Sequence, residues 1–218
     1  MKVDLHVHTF HSMDASTTFE QLLARCEDVG LGAIAICDHG TAEGALEFQK
    51  IAPFPVIVAE EVLTPHGEIM GMFLKETIPS GTSVEDTVAA IKEQGGLVCI
   101  PHPFDPLRSS ALDSKVVEAL AEKGQIDILE VLNARILLES AVRRADKFAK
   151  RYGLLRSAGS DAHGPEELGN AYLEMASFRT KEEFLESLST AEICGRRNSP
   201  LVHFHSTAQR LKKKLKKP

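Results

Sequence analysis

Apolar strand patterns and amphipathic helix patterns alternate along nearly the whole chain. The first strand pattern covers about residues 2–8, the second covers 33–37, and the longest helix pattern covers 135–152. Strands separated by helices favour a parallel sheet that those helices cover, because each helical crossover returns the chain to the start of the next strand. We find no internal repeat and no long linker. The pattern therefore predicts one α/β domain at residues 1–205, followed by a basic tail at 206–218.

Composition and charge narrow the class of protein further. Apolar residues make up 43% and charged residues 26% of the 218 positions, which is typical of a globular domain with one large core. No apolar run is long enough to span a membrane, and Met1 leads directly into a strand pattern, so we expect a cytoplasmic protein without membrane association. The four cysteines are widely spaced and include no Cys-x-x-Cys pair, which argues against a disulfide framework or a cysteine zinc site.

The charge distribution bears on nucleic-acid binding. The net charge is −6, which disfavours non-specific binding to nucleic acid, although residues 210–217 are almost all basic. We interpret this tail as a solvated helix end and keep a nucleic-acid arm as the alternative. The oligomeric state is not indicated by the sequence.

Two histidines stand one residue apart at the end of the first strand pattern. Because side chains alternate along a strand, Asp4, His6 and His8 are expected on one face, and Val3 and Leu5 on the other together with Val7. Two imidazoles at this spacing can bind one divalent cation. Asp4 can accept a hydrogen bond from a ligating ring.

Further metal-binding side chains follow other predicted strands. The apolar runs at 33–37, 56–59, 97–100 and 154–158 each end shortly before such a residue. Carboxyl ends of the strands in a βα-barrel meet at one mouth. The pattern therefore predicts a metal site at that mouth, formed by His6, His8, His39, Glu61, His102, Asp161 and His163.

These motifs together resemble the polymerase and histidinol phosphatase (PHP) family of metal-dependent phosphoesterases. The resemblance covers nearly the whole chain in the family's order. It implies a distorted (β/α)7 TIM-like barrel whose mouth holds two or three divalent metal ions. The matching stretches are Asp4-Leu5-His6-Val7-His8-Thr9, Cys37-Asp38-His39, Ala59-Glu60-Glu61-Val62, Ile100-Pro101-His102-Pro103 and Gly159-Ser160-Asp161-Ala162-His163.

The resemblance also implies a role for each ligand. His6, His8 and Asp161 would bind the first metal, Glu61 would bridge the first and second, His102 and Glu68 would complete the second, and His39, His163 and Asp14 would bind the third. Many relatives have histidine where this chain has Asp14 and Glu68. Two alternatives stay open, since Glu60 competes with Glu61 and His66 competes with Glu68.

The resemblance further implies hydrolysis of a phosphoester by a metal-activated water, with no protein nucleophile. Mixed nitrogen and oxygen ligands suit zinc, manganese or iron. The expected partner is a small phosphorylated substrate, such as a nucleotide or an amino-alcohol phosphate. Guanidinium groups bind phosphate oxygens well, and the candidates for this contact are Arg108, Arg135, Arg196 and Arg197. Arg108 can equally be a solvated loop residue.

Three other functions remain as alternatives at this stage. Related metal barrels hydrolyse C–N bonds, the basic tail allows a nuclease acting on oligonucleotide ends, and a degenerate domain would be a non-catalytic metal-binding module. The sequence contains no Gly-x-Gly-x-x-Gly motif, no phosphate-binding loop motif and no nucleophile-elbow motif.

Overall fold

The computed structural model describes residues 1–199, which form nine strands and six α-helices. The predicted boundary at residue 205 and the basic tail lie outside the described residues. The strands are β1 (Lys2–Val7), β2 (Leu31–Ile36), β3 (Val56–Thr64), β4 (Gly67–Met72), β5 (Leu97–Ile100), β6 (Ile128–Asn133), β7 (Leu155–Gly159), β8 (Ala171–Glu174) and β9 (Glu192–Gly195). The helices are α1 (Phe19–Val29), α2 (Glu43–Gln49), α3 (Val84–Glu93), α4 (Ser114–Glu122), α5 (Glu139–Tyr152) and α6 (Lys181–Ser189).

All these strands belong to one sheet, in the order β7-β6-β5-β4-β3-β2-β1-β8-β9. The pairs β1–β2, β2–β3, β5–β6 and β6–β7 are parallel, as the alternating pattern predicts. Strand β4 is antiparallel to both of its neighbours, since a two-residue turn joins it to β3. Strands β8 and β9 are also added in antiparallel orientation.

The sheet nearly closes on itself at β1. The amino end of β1 pairs with β8, whereas its carboxyl end meets the segment that follows β7. The Asp161 N–H donates to the His6 carbonyl at 2.8 Å, and the His8 N–H donates to the Ala162 carbonyl at 3.0 Å. This near-closed, helix-covered sheet confirms the predicted α/β barrel architecture.

Apolar packing on both sides of the sheet holds the barrel together. One cluster lies between the sheet and the helices and includes Ile34, Ile36 and Phe48. A second cluster includes the smaller side chains Ala33 and Ala35. Because alternate β2 residues enter alternate clusters, the strand is buried on both faces, as expected for a parallel sheet under helices.

The register of β1 departs from simple alternation. Val3 and Leu5 pack in the same cluster as Ala35, whereas Val7 packs in the other cluster. The prediction that Val3, Leu5 and Val7 share one face of the strand is therefore wrong. The physical reason is an irregularity in the pairing with β2 between Asp4 and Val7. Such bulges re-aim side chains and are common beside functional sites.

No helix within residues 1–199 combines the length and the apolar character that crossing a bilayer requires.

Candidate metal centre

A cavity of about 640 Å³ opens where the loops after β1, β2, β5, β6 and β7 come together. This is the barrel mouth at which the strand-end residues were expected to meet. Five of the nine predicted metal ligands line the cavity, namely Asp14, His39, Glu61, Glu68 and His163. The other four are fully buried beneath it, namely His6, His8, His102 and Asp161.

The two β1 histidines face two carboxylates. The Nε2 atoms of His6 and His8 lie 3.2 Å apart. From His8 Nε2, Glu61 Oε2 is 3.4 Å and Asp161 Oδ1 is 3.3 Å away. From His6 Nε2, Glu61 Oε1 is 3.3 Å and Asp161 Oδ1 is 3.6 Å away. The four side chains therefore converge on one small volume, as predicted for a first metal site.

Glu61 also belongs to a second group of side chains. Its Oε1 lies 3.0 Å from His102 Nε2, and its Oε2 lies 3.2 Å from His39 Nδ1. Glu68 reaches the same two rings, with its Oε1 3.2 Å from His39 Nδ1 and its Oε2 3.4 Å from His102 Nε2. The position of Glu61 between two groups is the one expected of a bridging carboxylate.

The competing assignments lie elsewhere. Glu60 points away from the cluster, and its Oε2 accepts a hydrogen bond from the Ile78 N–H at 2.9 Å. His66 is in the turn between β3 and β4, where it lines a separate surface opening. The structure therefore brings Glu61 and Glu68 to the cluster, and places Glu60 and His66 outside it.

A third group joins the first loop to the end of β7. Asp14 Oδ1 lies 3.3 Å from His163 Nε2 and 3.7 Å from His39 Nε2. The His8 ring lies between these two histidines, with ring centroids 4.3 Å from His163 and 4.5 Å from His39. Ring nitrogens of the three histidines are all within 4.8 Å of one another, a spacing that can hold a metal ion.

Glu130, in the middle of β6, contacts two of the histidines. Its Oε1 lies 3.0 Å from His6 Nδ1, and its Oε2 accepts the His102 backbone N–H at 2.6 Å and the Asn133 amide at 3.0 Å. A hydrogen bond from His6 Nδ1 to Glu130 would leave the Nε2 lone pair available to a cation on the cluster side of the ring.

His8 is oriented by a pair that sequence reasoning did not find. Ser12 Oγ lies 3.0 Å from His8 Nδ1 and donates to Asp38 Oδ1 at 2.8 Å. The only sequence signal was the position of Asp38 inside the Cys37-Asp38-His39 motif. Asp4, expected behind a ligating ring, instead accepts backbone N–H groups of His6 and Ser160, among others.

Burial and neighbouring charges shift the pKa values of the candidate ligands. Burial would raise the pKa of the Asp161 carboxyl, but Arg108 and His6 lower it well below its usual range. Burial and the nearby Glu61 carboxylate likewise oppose ionisation of Glu68, yet the adjacent His102 and His39 rings lower its pKa to about 2. Burial and the neighbouring His8 lower the pKa of His163 to about 4. The Asp161 and Glu68 carboxylates are thus anionic and the His163 ring is neutral at pH 7, the forms in which these groups bind metal. Burial lowers the pKa of His8, but Asp161 and Glu61 raise it to about 10, so a cation that binds this ring must displace a proton.

Cys37 also lies within reach of His6 and His8. Burial raises the pKa of its thiol to about 12, which disfavours the thiolate needed for metal binding. Its Sγ donates to the Val7 carbonyl at 3.6 Å. We therefore leave Cys37 outside the candidate ligand set.

Two of the four predicted phosphate-binding arginines reach the cavity. Arg108 lines it and places Nη2 2.6 Å from Asp161 Oδ2, and Arg135 lines it while its Nη1 donates to Glu167 at 3.0 Å. Arg196 and Arg197 are exposed and do not line the cavity. The reason is that the Arg196 N–H donates to the Asn170 carbonyl in the continuation of the β8–β9 pairing, and Arg197 extends to the Leu137 carbonyl.

Comparisons with known proteins agree with this geometry. A model of the PHP domain matches residues 4–53, and a model described as PHP-associated matches residues 139–193. An uncharacterized protein of Methanocaldococcus jannaschii is 36% identical over 147 residues, which cover 62% of this chain and 82% of that protein. The chain belongs to the PHP family. The family predicted from the motifs is thereby confirmed.

More distant relatives carry functional names. A protein of Caldicellulosiruptor saccharolyticus named "Probable phosphatase" is 26% identical over 196 residues, covering 75% of this chain and 80% of that protein. A two-domain protein of Bacteroides vulgatus, which contains a predicted PHP-like metal-dependent phosphoesterase, superposes with a TM-score of 0.71 and 17% identity. The match covers 90% of this chain and 65% of that longer protein. At this identity the likeness establishes the fold.

Proposed function

We propose that this PHP-family chain is a metal-dependent phosphoesterase that hydrolyses a phosphomonoester or a small phosphodiester. The observation that carries the proposal is the convergence of five imidazoles and four carboxylates, contributed by six strands and the loops that follow them, at the floor of one cavity. The names of the phosphatase and phosphoesterase relatives support the same class.

The buried carboxylates fit a bound cation. Four of their oxygen atoms, one from each candidate carboxylate, face imidazole nitrogens at 3.2–3.4 Å but make no contact of hydrogen-bond geometry among the described residues: Asp14 Oδ1, Glu61 Oε2, Glu68 Oε2 and Asp161 Oδ1. Buried polar atoms in native proteins are almost always satisfied, so this coincidence in one cluster calls for a ligand. A mixed set of imidazole nitrogens and carboxylate oxygens suits zinc, manganese or iron.

We assign two or three divalent ions to these side chains. His6, His8 and Asp161 would hold one ion, His102 and Glu68 a second with Glu61 shared, and His39, His163 and Asp14 a third. When bound, the ions would supply Lewis-acid activation of water and of the phosphoryl oxygens. The four carboxylates neutralise most of that charge, and with three dications the floor retains about +2, which favours a phosphate dianion.

The two arginines of the cavity wall are proposed to hold the substrate phosphate. Asp161 fixes the guanidinium of Arg108, and Glu167 fixes that of Arg135, so both cations are oriented before substrate arrives. In the overall reaction, water adds to phosphorus and the ester oxygen leaves with a proton. The products of a monoester are then an alcohol and inorganic phosphate. The four unpaired cysteines favour the reducing cytoplasm as its location.

Metal analysis of freshly purified protein, combined with a phosphate-release screen over phosphoesters, tests the proposal. We expect two or three equivalents of zinc, manganese or iron, loss of phosphate release on chelation, and recovery on adding Mn²⁺ or Zn²⁺. Release of ammonia without phosphate would favour C–N hydrolysis, and shortening of a labelled oligonucleotide would favour a nuclease. Full metal content without any hydrolysis would identify a non-catalytic module. The first and third outcomes contradict the phosphoesterase, and the second contradicts the small substrate.

A further inference from the structure

Several exposed apolar side chains line the cavity, in contrast to the charged groups of its floor. Among the described residues, seven large hydrophobic side chains are exposed: Met1, Phe10, Met13, Ile51, Leu63, Leu107 and Leu138. Three of these seven line this one cavity, with exposed fractions of 52% for Met13, 49% for Leu63 and 64% for Leu107. We call Met13, Leu63 and Leu107 the apolar rim.

The apolar rim is assembled from three distant parts of the chain. Met13 is in the loop after β1, Leu63 is near the end of β3, and Leu107 is in the loop after β5. Each lies close in sequence to a charged residue of the cavity: Met13 adjoins Asp14, Leu63 follows Glu61 by two positions, and Leu107 adjoins Arg108. Exposed apolar groups that gather at a polar cavity indicate contact with the apolar part of a ligand.

A small polar phosphoester bound at the floor would make no contact with the apolar rim, which would stay exposed to water. The phosphate and a short polar alcohol need only the charged floor and the arginines, so they gain nothing from Met13, Leu63 or Leu107. A cavity of about 640 Å³ also exceeds the space that phosphate alone requires, and lies within the range of cavities that enclose small organic ligands. The shape and the polarity of the cavity therefore both favour a larger, partly apolar substrate.

We infer that this site selects phosphoesters whose alcohol carries an apolar group of about the size of an aromatic ring system, held between Met13, Leu63 and Leu107. The inference rests on the proposed function for the position of the phosphate, which lies at the charged floor beside Arg108. The apolar group then extends outward along the rim.

Binding of two non-hydrolysable probes tests the rim independently of turnover. We expect 1-naphthylmethylphosphonate to bind at least about tenfold more tightly than methylphosphonate by calorimetry, because the ring system buries apolar surface. In Leu107→Ser and in Leu63→Ser, the ratio of the two affinities should fall about five- to tenfold. Ile51→Ser removes an equally exposed apolar side chain outside the cavity, and its ratio should equal that of the parent.

Turnover of matched esters provides the second arm. Ethyl phosphate and 2-(1-naphthyl)ethyl phosphate both release primary alcohols, so their difference reports the apolar group. We expect at least about tenfold higher kcat/KM for the naphthyl ester. Equal binding and equal turnover within each pair would overturn the inference and leave the proposed function standing. Absence of hydrolysis across the whole phosphoester screen, with preferential binding of the naphthyl phosphonate, would overturn the proposed function and support the rim.

A protein contact is the remaining use of such a surface. If Leu107→Ser changes the molar mass measured by light scattering while the phosphonate affinity ratio stays at the parent value, the rim is an interface between chains and the inference is overturned.

Discussion

Glu60 and Glu61 are neighbours in the chain with opposite environments, and they provide a matched pair for mutation. Glu61→Gln removes the charge between His6 and His102, so we expect a lower metal content and at least about a 100-fold loss of phosphoester hydrolysis. Glu60→Gln should keep the metal content, because an amide oxygen can still accept the Ile78 N–H. Metal analysis and phosphate release on both variants provide the measurement. Loss of metal in Glu60→Gln, or parental activity in Glu61→Gln, would contradict the assignment.

Glu130 acts on metal binding through the histidines that it orients. The Glu130 carboxylate faces the His6 ring nitrogen, the His102 backbone N–H and the Asn133 amide. In Glu130→Gln, the new NH2 group is itself a donor and must face at least one of these three groups, so one hydrogen bond is lost. We expect metal affinity to fall about 10- to 100-fold, as is typical for such supporting carboxylates. Competition with a chromogenic chelator measures the affinity. Glu122→Gln, at the exposed end of α4, is the control, and equal affinities in the two variants would refute the role.

The ligand positions were accessible to sequence reasoning because their residue types are rare at strand ends unless they bind something. The supporting roles of Ser12 and Asn133 could not be predicted in this way. These are ordinary polar residues, and their roles depend on which side chains the fold places beside them. The same limit applies to Arg196, because nothing in its local sequence shows that it continues the pairing of β9 with β8 and therefore lies outside the cavity. Backbone strain was equally hidden: His102 and Asp161 have φ of 32° and 53°, in the left-handed region that non-glycine residues seldom adopt.

At the scale of elements, the predicted and observed boundaries differ most at the end of β3 and at the start of α5. The apolar run 56–59 predicts a strand that ends before Glu60, yet β3 continues to Thr64 because the hairpin with β4 supplies its hydrogen bonds. The periodicity over 135–152 predicts a helix that includes Arg135. Helix α5 begins at Glu139 instead, since Asn133 accepts the backbone N–H groups of Arg135 and Ile136 and turns the chain. This turn is what brings Arg135 to the cavity.

The contact between β1 and β7 depends on a glycine. A Cβ at Gly159 would lie 2.2 Å from His6 Cβ and 2.7 Å from the His6 backbone nitrogen. We expect Gly159→Ala to lower the free energy of unfolding by about 2–3 kcal/mol, because backbone atoms of β1 must move to accommodate the methyl group. Urea denaturation measures the change. Metal affinity should fall in parallel, since His6 is displaced.

Gly32→Ala is the control for this substitution. It lies in β2 of the same sheet, and its Cβ would meet chiefly the flexible Met1 side chain, at 3.0 Å. We expect its stability to change by less than about 0.5 kcal/mol. A Gly159→Ala protein that unfolds and binds metal like Gly32→Ala would show that β1 and β7 need no such close approach.

At the scale of the whole molecule, the alternation of strands and helices was sufficient to predict a parallel α/β sheet under helices, whereas the closed barrel was implied by the resemblance to the PHP family. The orientation of β4, β8 and β9 was not predictable from periodicity, since an apolar strand pattern has the same appearance in both directions. Closure at β1 was also hidden, because it depends on backbone hydrogen bonds of Asp161 and His8. The mouth was nevertheless predictable, since it requires only that the parallel strands end on the same side.

The candidate metal centre draws on residues from His6 to His163, so its side chains come together only when the barrel is folded. Ions that bind the folded chain and not the unfolded chain stabilise it by mass action. At a free ion concentration of 100 times the dissociation constant, the expected gain is about 2.7 kcal/mol. For a chain of this size, that gain corresponds to a rise in Tm of about 5–10 °C.

Thermal unfolding with and without a chelator therefore tests whether the nine side chains act as one site. We expect EDTA to lower the Tm by about 5–10 °C and added Mn²⁺ or Zn²⁺ to restore it. In Glu61→Gln the difference should shrink, because the carboxylate shared by two groups of ligands is lost. In Glu60→Gln the full difference should persist, since that side chain faces away from the cluster. Identical melting curves in EDTA and in Mn²⁺ or Zn²⁺ would mean that the ends of these six strands meet without sharing an ion.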